Sequence, residues 1–253
     1  MKRVLSFIML STLVSCGDLE TSKIENIKKK TEIKKEDKYI KMIKSSISLK
    51  KDYEVSKIVF DKTKVSKYTV EESEIDLAKT IIKPLSSYST KQLLELPESK
   101  RLRCHVVVPS TISKESLRNT LKSILFKKTE KDKNIDVVEI FAYDNKKDIG
   151  NGYTYGKILW SPEGGIGKVT SKIAIMNIRD NYKTEVNIKA IVGNLKINEM
   201  PTEKELNIYY EIMSEKYYDM QEEEFLPAIM RKYNIKTEKE LNDIFIKVLA
   251  TKM

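Results

Sequence analysis

The stretch Arg101-Leu102-Arg103-Cys104-His105-Val106-Val107-Val108-Pro109 decides the fold. Successive side chains of a strand point to opposite faces. Leu102, Cys104, Val106 and Val108 therefore share one face, and Arg101, Arg103, His105 and Val107 share the other. Pro109 cannot donate to a ladder and ends the strand. Ser113 follows as an N-cap, with Glu115 in the first turn. Leu117, Leu121, Ile124 and Leu125 then recur at helical spacing, an apolar stripe suited to lie on a sheet. A charged loop over Lys127–Lys133 leads to a second strong strand, Ile135–Tyr143. Strand, helix and strand in this order predict an open sheet with a helix on one face.

Outward from this centre, Tyr53–Phe60, Val65–Val70, Tyr153–Trp160, Val169–Ile178 and Val186–Val192 are further candidate strands. Ile75–Ile82 reads as a short helix that ends before Pro84. Ser161-Pro162-Glu163-Gly164-Gly165 marks a turn. The run Gly164–Thr170 invites comparison with a phosphate loop but fails it. Pro162 stands where the first glycine is needed, and Val169 where Ser or Thr must follow the lysine. A hairpin loop is expected there. From Pro201 the spacing turns helical. Thr202-Glu203-Lys204-Glu205 is a capping-box pattern, with Leu206, Tyr209, Tyr210, Met213 and Tyr217 behind it. The same six residues, Thr-Glu-Lys-Glu-Leu-Asn, return at 237–242. They read as a second helix start. The expected class is α+β: a small sheet with a packed helix over 53–196, followed by a helical C-terminal part over 197–253.

The first residues carry an address. Lys2 and Arg3 precede an apolar run from Val4 to Val14, too short to span a bilayer as a helix, which takes about 20 residues. Its length suits the core of a secretory signal. Leu13-Val14-Ser15-Cys16-Gly17 then resembles the bacterial lipoprotein signal. That resemblance implies cleavage after residue 15 and acylation of Cys16, by chains such as palmitate. Burial is worth about 0.8 kcal/mol per CH₂, and two or three chains anchor firmly where one does not. Residues 16–52 form a lysine-dense tether, with 11 Lys against 7 acids over 18–52. As a coil, a tether of this length spans roughly 30–35 Å. The acids dilute its positive charge, so it reads first as a solvated spacer.

Over 253 residues, 47 Lys+Arg oppose 37 Asp+Glu, a net charge of +10. Only six of the basic residues are Arg, and no arginine-aromatic interleaving of the kind used on nucleic acid is present. Nucleic acid is not expected as a partner. The two cysteines exclude a disulfide scaffold.

Further runs carry a second resemblance: Arg103–Pro109, Val138-Glu139-Ile140-Phe141-Ala142-Tyr143, Tyr155-Gly156-Lys157, Trp160-Ser161-Pro162 and the closing Tyr233-Asn234-Ile235. Together they resemble an uncharacterised domain of small exported bacterial lipoproteins. The likeness spans about residues 65–165 and roughly the last 20. It implies an envelope location and this fold. It carries no catalytic residue to transfer.

Candidate chemistry is sparse. Cys104 and His105 are adjacent and so point to opposite faces, which separates thiol from imidazole; Cys104 is expected buried. Arg101, Arg103 and His105 share a face and are candidates for contact with a carboxylate or phosphate; a solvated sheet face is the competing expectation. Glu222-Glu223-Glu224 reads as a solvated helical face. One histidine, no Gly-x-Ser-x-Gly and no metal motif argue against an enzyme. The sequence therefore predicts a membrane-anchored, extracytoplasmic lipoprotein of a bacterial cell membrane or outer membrane. It would bind a ligand or an envelope protein, with no cofactor or metal. A carboxylate-based envelope hydrolase and a structural spacer are the alternatives.

Overall fold

A computed structural model describes residues 58–195, 197–217 and 219–252. The signal segment, Cys16, the tether and Tyr53–Lys57 lie outside the described residues. The unit that runs from Lys50 to Met253 holds, among the described residues, two apolar cores and five strands.

The five strands are β1 (Thr69–Lys79), β2 (Glu98–Val107), β3 (Ile135–Tyr143), β4 (Gly156–Pro162) and β5 (Tyr182–Ile188). They lie in chain order across one sheet. β2 and β3 are parallel; every other neighbouring pair is antiparallel. The helices are α1 (Thr90–Glu95), α2 (Lys114–Lys131), α3 (Ser171–Met176), α4 (Glu203–Ile212), α5 (Glu222–Tyr233) and α6 (Glu238–Lys252). The class is thus α+β, with a sheet, a packed helix and a helical C-terminal part.

α2 connects the parallel pair and lays Leu117, Leu121, Ile124 and Leu125 on the sheet. They meet Leu102, Cys104, Val106, Ile140, Ile158 and Trp160 in the first core. Ser113 caps α2 by accepting from Ser116 N at 3.1 Å. The second core joins α4, α5 and α6 through Ile208, Phe225, Ile229, Ile235 and Leu241. Thr202 and Glu205 form the expected capping box. At the second copy of the hexapeptide, Thr237 Oγ1 accepts from Glu240 N, while Glu240 takes the N–H of Lys236. The two copies start α4 and α6, and Lys247 of α6 reaches Glu205 at 2.8 Å.

Several expected elements differ. Ile75–Lys79 belongs to β1 and is not helical. Glu72, Glu74 and Asp76 pair in register with His105, Arg103 and Arg101, and such opposite-charge pairs favour the sheet. Val65–Tyr68 forms no strand; Ser66 N instead donates to Thr120 on α2. α2 runs through the expected loop to Lys131, since lysine is a good helix former and Thr129 Oγ1 closes back on the Leu125 carbonyl. Val169–Ile178 holds α3, because Thr170 caps it and Asn177 ends it at φ +54°. β4 and β5 are therefore joined through a helix and not by a hairpin loop. Glu163 and Gly164 make the turn, both at positive φ.

Arg179, after α3, is clamped at the start of β3. Its guanidinium donates to Asp136 Oδ1 at 2.9 Å and to the Ile135 carbonyl at 3.1 Å. It also lies over the Tyr182 ring at 4.9 Å. Both charged side chains are buried. Burial pushes the Asp136 carboxyl above its ordinary range, against the pull of Arg179 and the Lys100 N–H. Removing one partner of a buried pair costs about 3–5 kcal/mol. Arg179→Leu should destabilise the fold by about that much at neutral pH. Without the cation the folded-state pKa of Asp136 climbs further, so the loss should shrink as pH falls and the carboxyl protonates. Urea unfolding across the acid range checks this; a loss independent of pH contradicts it.

Candidate functional site

The row Arg101, Arg103 and His105 lies on one face of β2, as its alternation requires, and β1 sets acids opposite it. Arg103 is 3.8 Å from Asp76, and His105 Nε2 is 4.0 Å from Glu72. His105 Nδ1 shares a hydrogen bond of 2.9 Å with the Tyr143 hydroxyl, and its ring stacks on Phe141. Tyr143 is buried. That burial first, then the charges of Glu72 and Asp148, pushes its hydroxyl up to about 12. An anion approaching this row would meet the carboxylates of β1. Cys104 is buried on the other face, and burial raises its thiol above the ordinary range. Glu222–Glu224 form the exposed first turn of α5.

A concave feature among the described residues lies elsewhere. A groove of about 1090 Å³ opens between the β3–β4 connection and the C-terminal helices. This is the carboxyl end of the parallel pair, where open sheets with parallel strands commonly bind. One wall is the connection itself. Asn145 caps a tight turn over Lys146–Asp148, and Gly150 (φ +99°) and Gly152 (φ +86°) carry the chain back. A Cβ would have room at either glycine; the positive φ is what requires glycine. The other wall is α4 and the end of α5, with Asn207, Tyr210, Glu211, Ser214 and Tyr233. Lys147 crosses between the walls, donating to Asn207 Oδ1 at 3.0 Å above the Tyr210 ring.

The two walls are fastened at the base. Lys252 Nζ lies 2.9 Å from both Asp144 Oδ2 and Asp148 Oδ2. The Tyr210 hydroxyl donates to Asp148 Oδ1 at 3.0 Å, and Thr154 Oγ1 donates to Asp144 Oδ1 at 2.9 Å. The Lys252 side chain keeps 6% of its exposure and Asp148 7%. Burial raises the Asp148 carboxyl above its ordinary value, with Lys252 pulling the other way. Burial also raises Tyr210, so its phenol stays protonated and can donate. Every polar end in this cluster is therefore committed to another. It positions the groove, and its two hydroxyls, Thr154 and Tyr210, donate to carboxylates that Lys252 already pairs. What the walls offer is rings, amides, hydroxyls and charged tips: the means to bind an extended polar segment.

No family model, curated protein or solved structure matches the chain. Among the described residues, no group of three or more His, Cys, Asp or Glu is placed to hold a metal, and no helix is long and apolar enough to cross a membrane.

Sequence reasoning missed the groove. Gly150-Asn151-Gly152 read as the entry to a strand, and Tyr210 as one more apolar position on a helix. Lys252, next to last in the sequence, carried no local signal. Its partners lie 104 and 108 residues away, a pairing that local spacing does not encode. The double glycine was the one usable signal of a shaped loop.

Asp148 gives a test of which force governs the base. Its folded-state pKa is raised, so its contribution to stability is complete below the ordinary value of 3.8 and is lost as pH rises through the folded value. The stability advantage of the native protein over Asp148→Asn should therefore shrink from acid toward neutral pH in urea unfolding. An advantage that grows with pH would mean that pairing with Lys252 outweighs burial.

Proposed function

We propose that this chain is a lipid-anchored, extracytoplasmic binding protein of a bacterial cell envelope, whose groove takes an extended segment of a partner protein. The groove carries the binding reading. Its walls combine tyrosine, asparagine, serine and glycine with a few charged tips, a composition that serves protein recognition in antibody loops. Tyr153 adds to it, with Lys157 and Lys189 at 5.8 and 5.4 Å from its ring. The anchoring reading rests on Lys2-Arg3, the apolar run and Leu13-Val14-Ser15-Cys16-Gly17. The likeness to exported lipoprotein domains supports it. The closed network of paired groups at its base favours binding over hydrolysis.

Two outcomes are expected in cells. By mass spectrometry of the extracted protein, the native chain begins at an acylated Cys16, and Cys16→Ala is neither acylated nor cut before residue 16. A photo-cross-linking residue at Asn151 or at Met213, one on each wall, joins the chain to the same partner protein. The same residue at Met220, exposed but outside the groove, gives no such adduct. A native chain whose Cys16 carries no acyl group removes the anchor. Adducts of equal yield from Met220 remove the groove.

A further inference from the structure

The opposite end of the sheet has a different character. Two segments meet there, 77–94 (the end of β1 into α1, up to but not including Glu95) and 164–178 (the turn after β4 through α3). They are joined by a buried contact of 2.9 Å between the Thr80 and Ser171 hydroxyls. Together they span 33 residues without one Asp or Glu. At the chain's average of 37 acids in 253 residues, about five would be expected. The same residues carry Lys79, Lys83, Lys91, Lys168 and Lys172. Lys79 is held by Glu98 at 3.1 Å; Lys91, Lys168 and Lys172 are exposed.

Aliphatic side chains stand uncovered among these lysines. Leu77, Ile81, Ile82, Leu85, Leu94 and Met176 are 39–72% exposed. This exposure is held in place by hydrogen bonds. Ser87 N donates to the Pro84 carbonyl at 2.8 Å, Tyr88 N to the Leu85 carbonyl at 3.1 Å, and Ser89 with Gln92 forms a capping box. Single exposed aliphatics are ordinary, but a contiguous group rimmed by charge marks a contact surface. Asp76, Glu95, Glu163 and Asp180 bound the two segments in sequence.

We propose that this end of the sheet is a contact face for an anionic lipid surface. Lysines attract acidic headgroups while aliphatic side chains enter the boundary between headgroup and acyl chain. The scarcity of acids matters, because a carboxylate would be repelled by the same headgroups; Glu98, opposite Lys79 at the edge of the face, is tied up in that ion pair. β2 runs from this end to the groove, ten residues at about 3.3 Å each. The groove therefore faces away from the membrane by about 30 Å, open to a partner. That orientation rests on the anchored reading above; lipid contact by this face does not.

The test uses residues 50–253, the compact unit with both cores, which lacks Cys16 and most of the tether. The probe is vesicles of phosphatidylglycerol mixed with phosphatidylcholine, beside phosphatidylcholine alone, with co-sedimentation as the readout. Binding is expected only with the acidic lipid, and weaker at high salt. Lys168→Glu with Lys172→Glu should lower the partition coefficient at least about tenfold. Leu85→Ser with Leu94→Ser should lower it by a similar factor. Thermal unfolding by circular dichroism confirms that each variant stays folded. Equal partition of native and variant units, or equal binding to neutral vesicles, overturns the proposal. Self-association that these changes abolish, without vesicle binding, overturns it in favour of a second copy. None of these results depends on whether Cys16 is acylated.

Discussion

The ammonium of Lys252 sits between the carboxylates of Asp144 and Asp148, where little water reaches. Burying a charge is costly unless it is paired and its remaining hydrogen bonds are made. Here they are made from four directions: the end of α6, the start of the β3–β4 connection, Thr154 near its close and Tyr210 on α4. The cost of leaving any of these groups unpaired holds the elements together. α6 is fixed at its last turn, and α4 packs against it with Lys247 reaching Glu205. α5 closes the second core. The shape of the groove follows from where this cluster pins the chain.

β3 carries a buried carboxylate at its start, Asp136, and two more just beyond its end. Each end fastens a helical segment that the sheet alone would not hold. Arg179 brings the α3–β5 connection to Asp136, and Lys252 brings α6 to Asp144 and Asp148. Between them the strand is nearly all apolar and buried, as expected for a strand flanked on both sides and covered by α2. The apolar core sets the layers, and the two ionic clusters set which segments close the ends. One end then presents amides, tyrosines and mixed charge. The other presents lysine and aliphatic side chains with few acids, Glu98 among them being tied to Lys79.

Legibility follows the range of the contacts. β2, β3 and α2 were readable because alternation, the Ser113 cap and the Leu117–Leu125 stripe all point to one answer. The capping box at Thr202 was readable for the same reason. β1 was not. Ile75 within it and Ile82 beyond it, seven residues apart, can be fitted to helical spacing, and its strand character comes from Glu72, Glu74 and Asp76 facing β2, a tertiary fact. α3 was missed because its β-branched residues favour strands, while Thr170 and Asn177 bound it as a helix. The grouping of Arg101, Arg103 and His105 was legible from period alone. The acids that face them, and the Lys252 cluster that shapes the groove, depend on distant pairing.

The claim that one buried lysine organises the groove is open to direct measurement by amide hydrogen exchange on the native chain and Lys252→Met. The account predicts faster exchange together in residues 144–154, in α4 and in α6, while β2, β3 and β4 keep their protection. Faster exchange confined to the last turn of α6 would contradict it, and would reduce Lys252 to a local tie at the end of a helix.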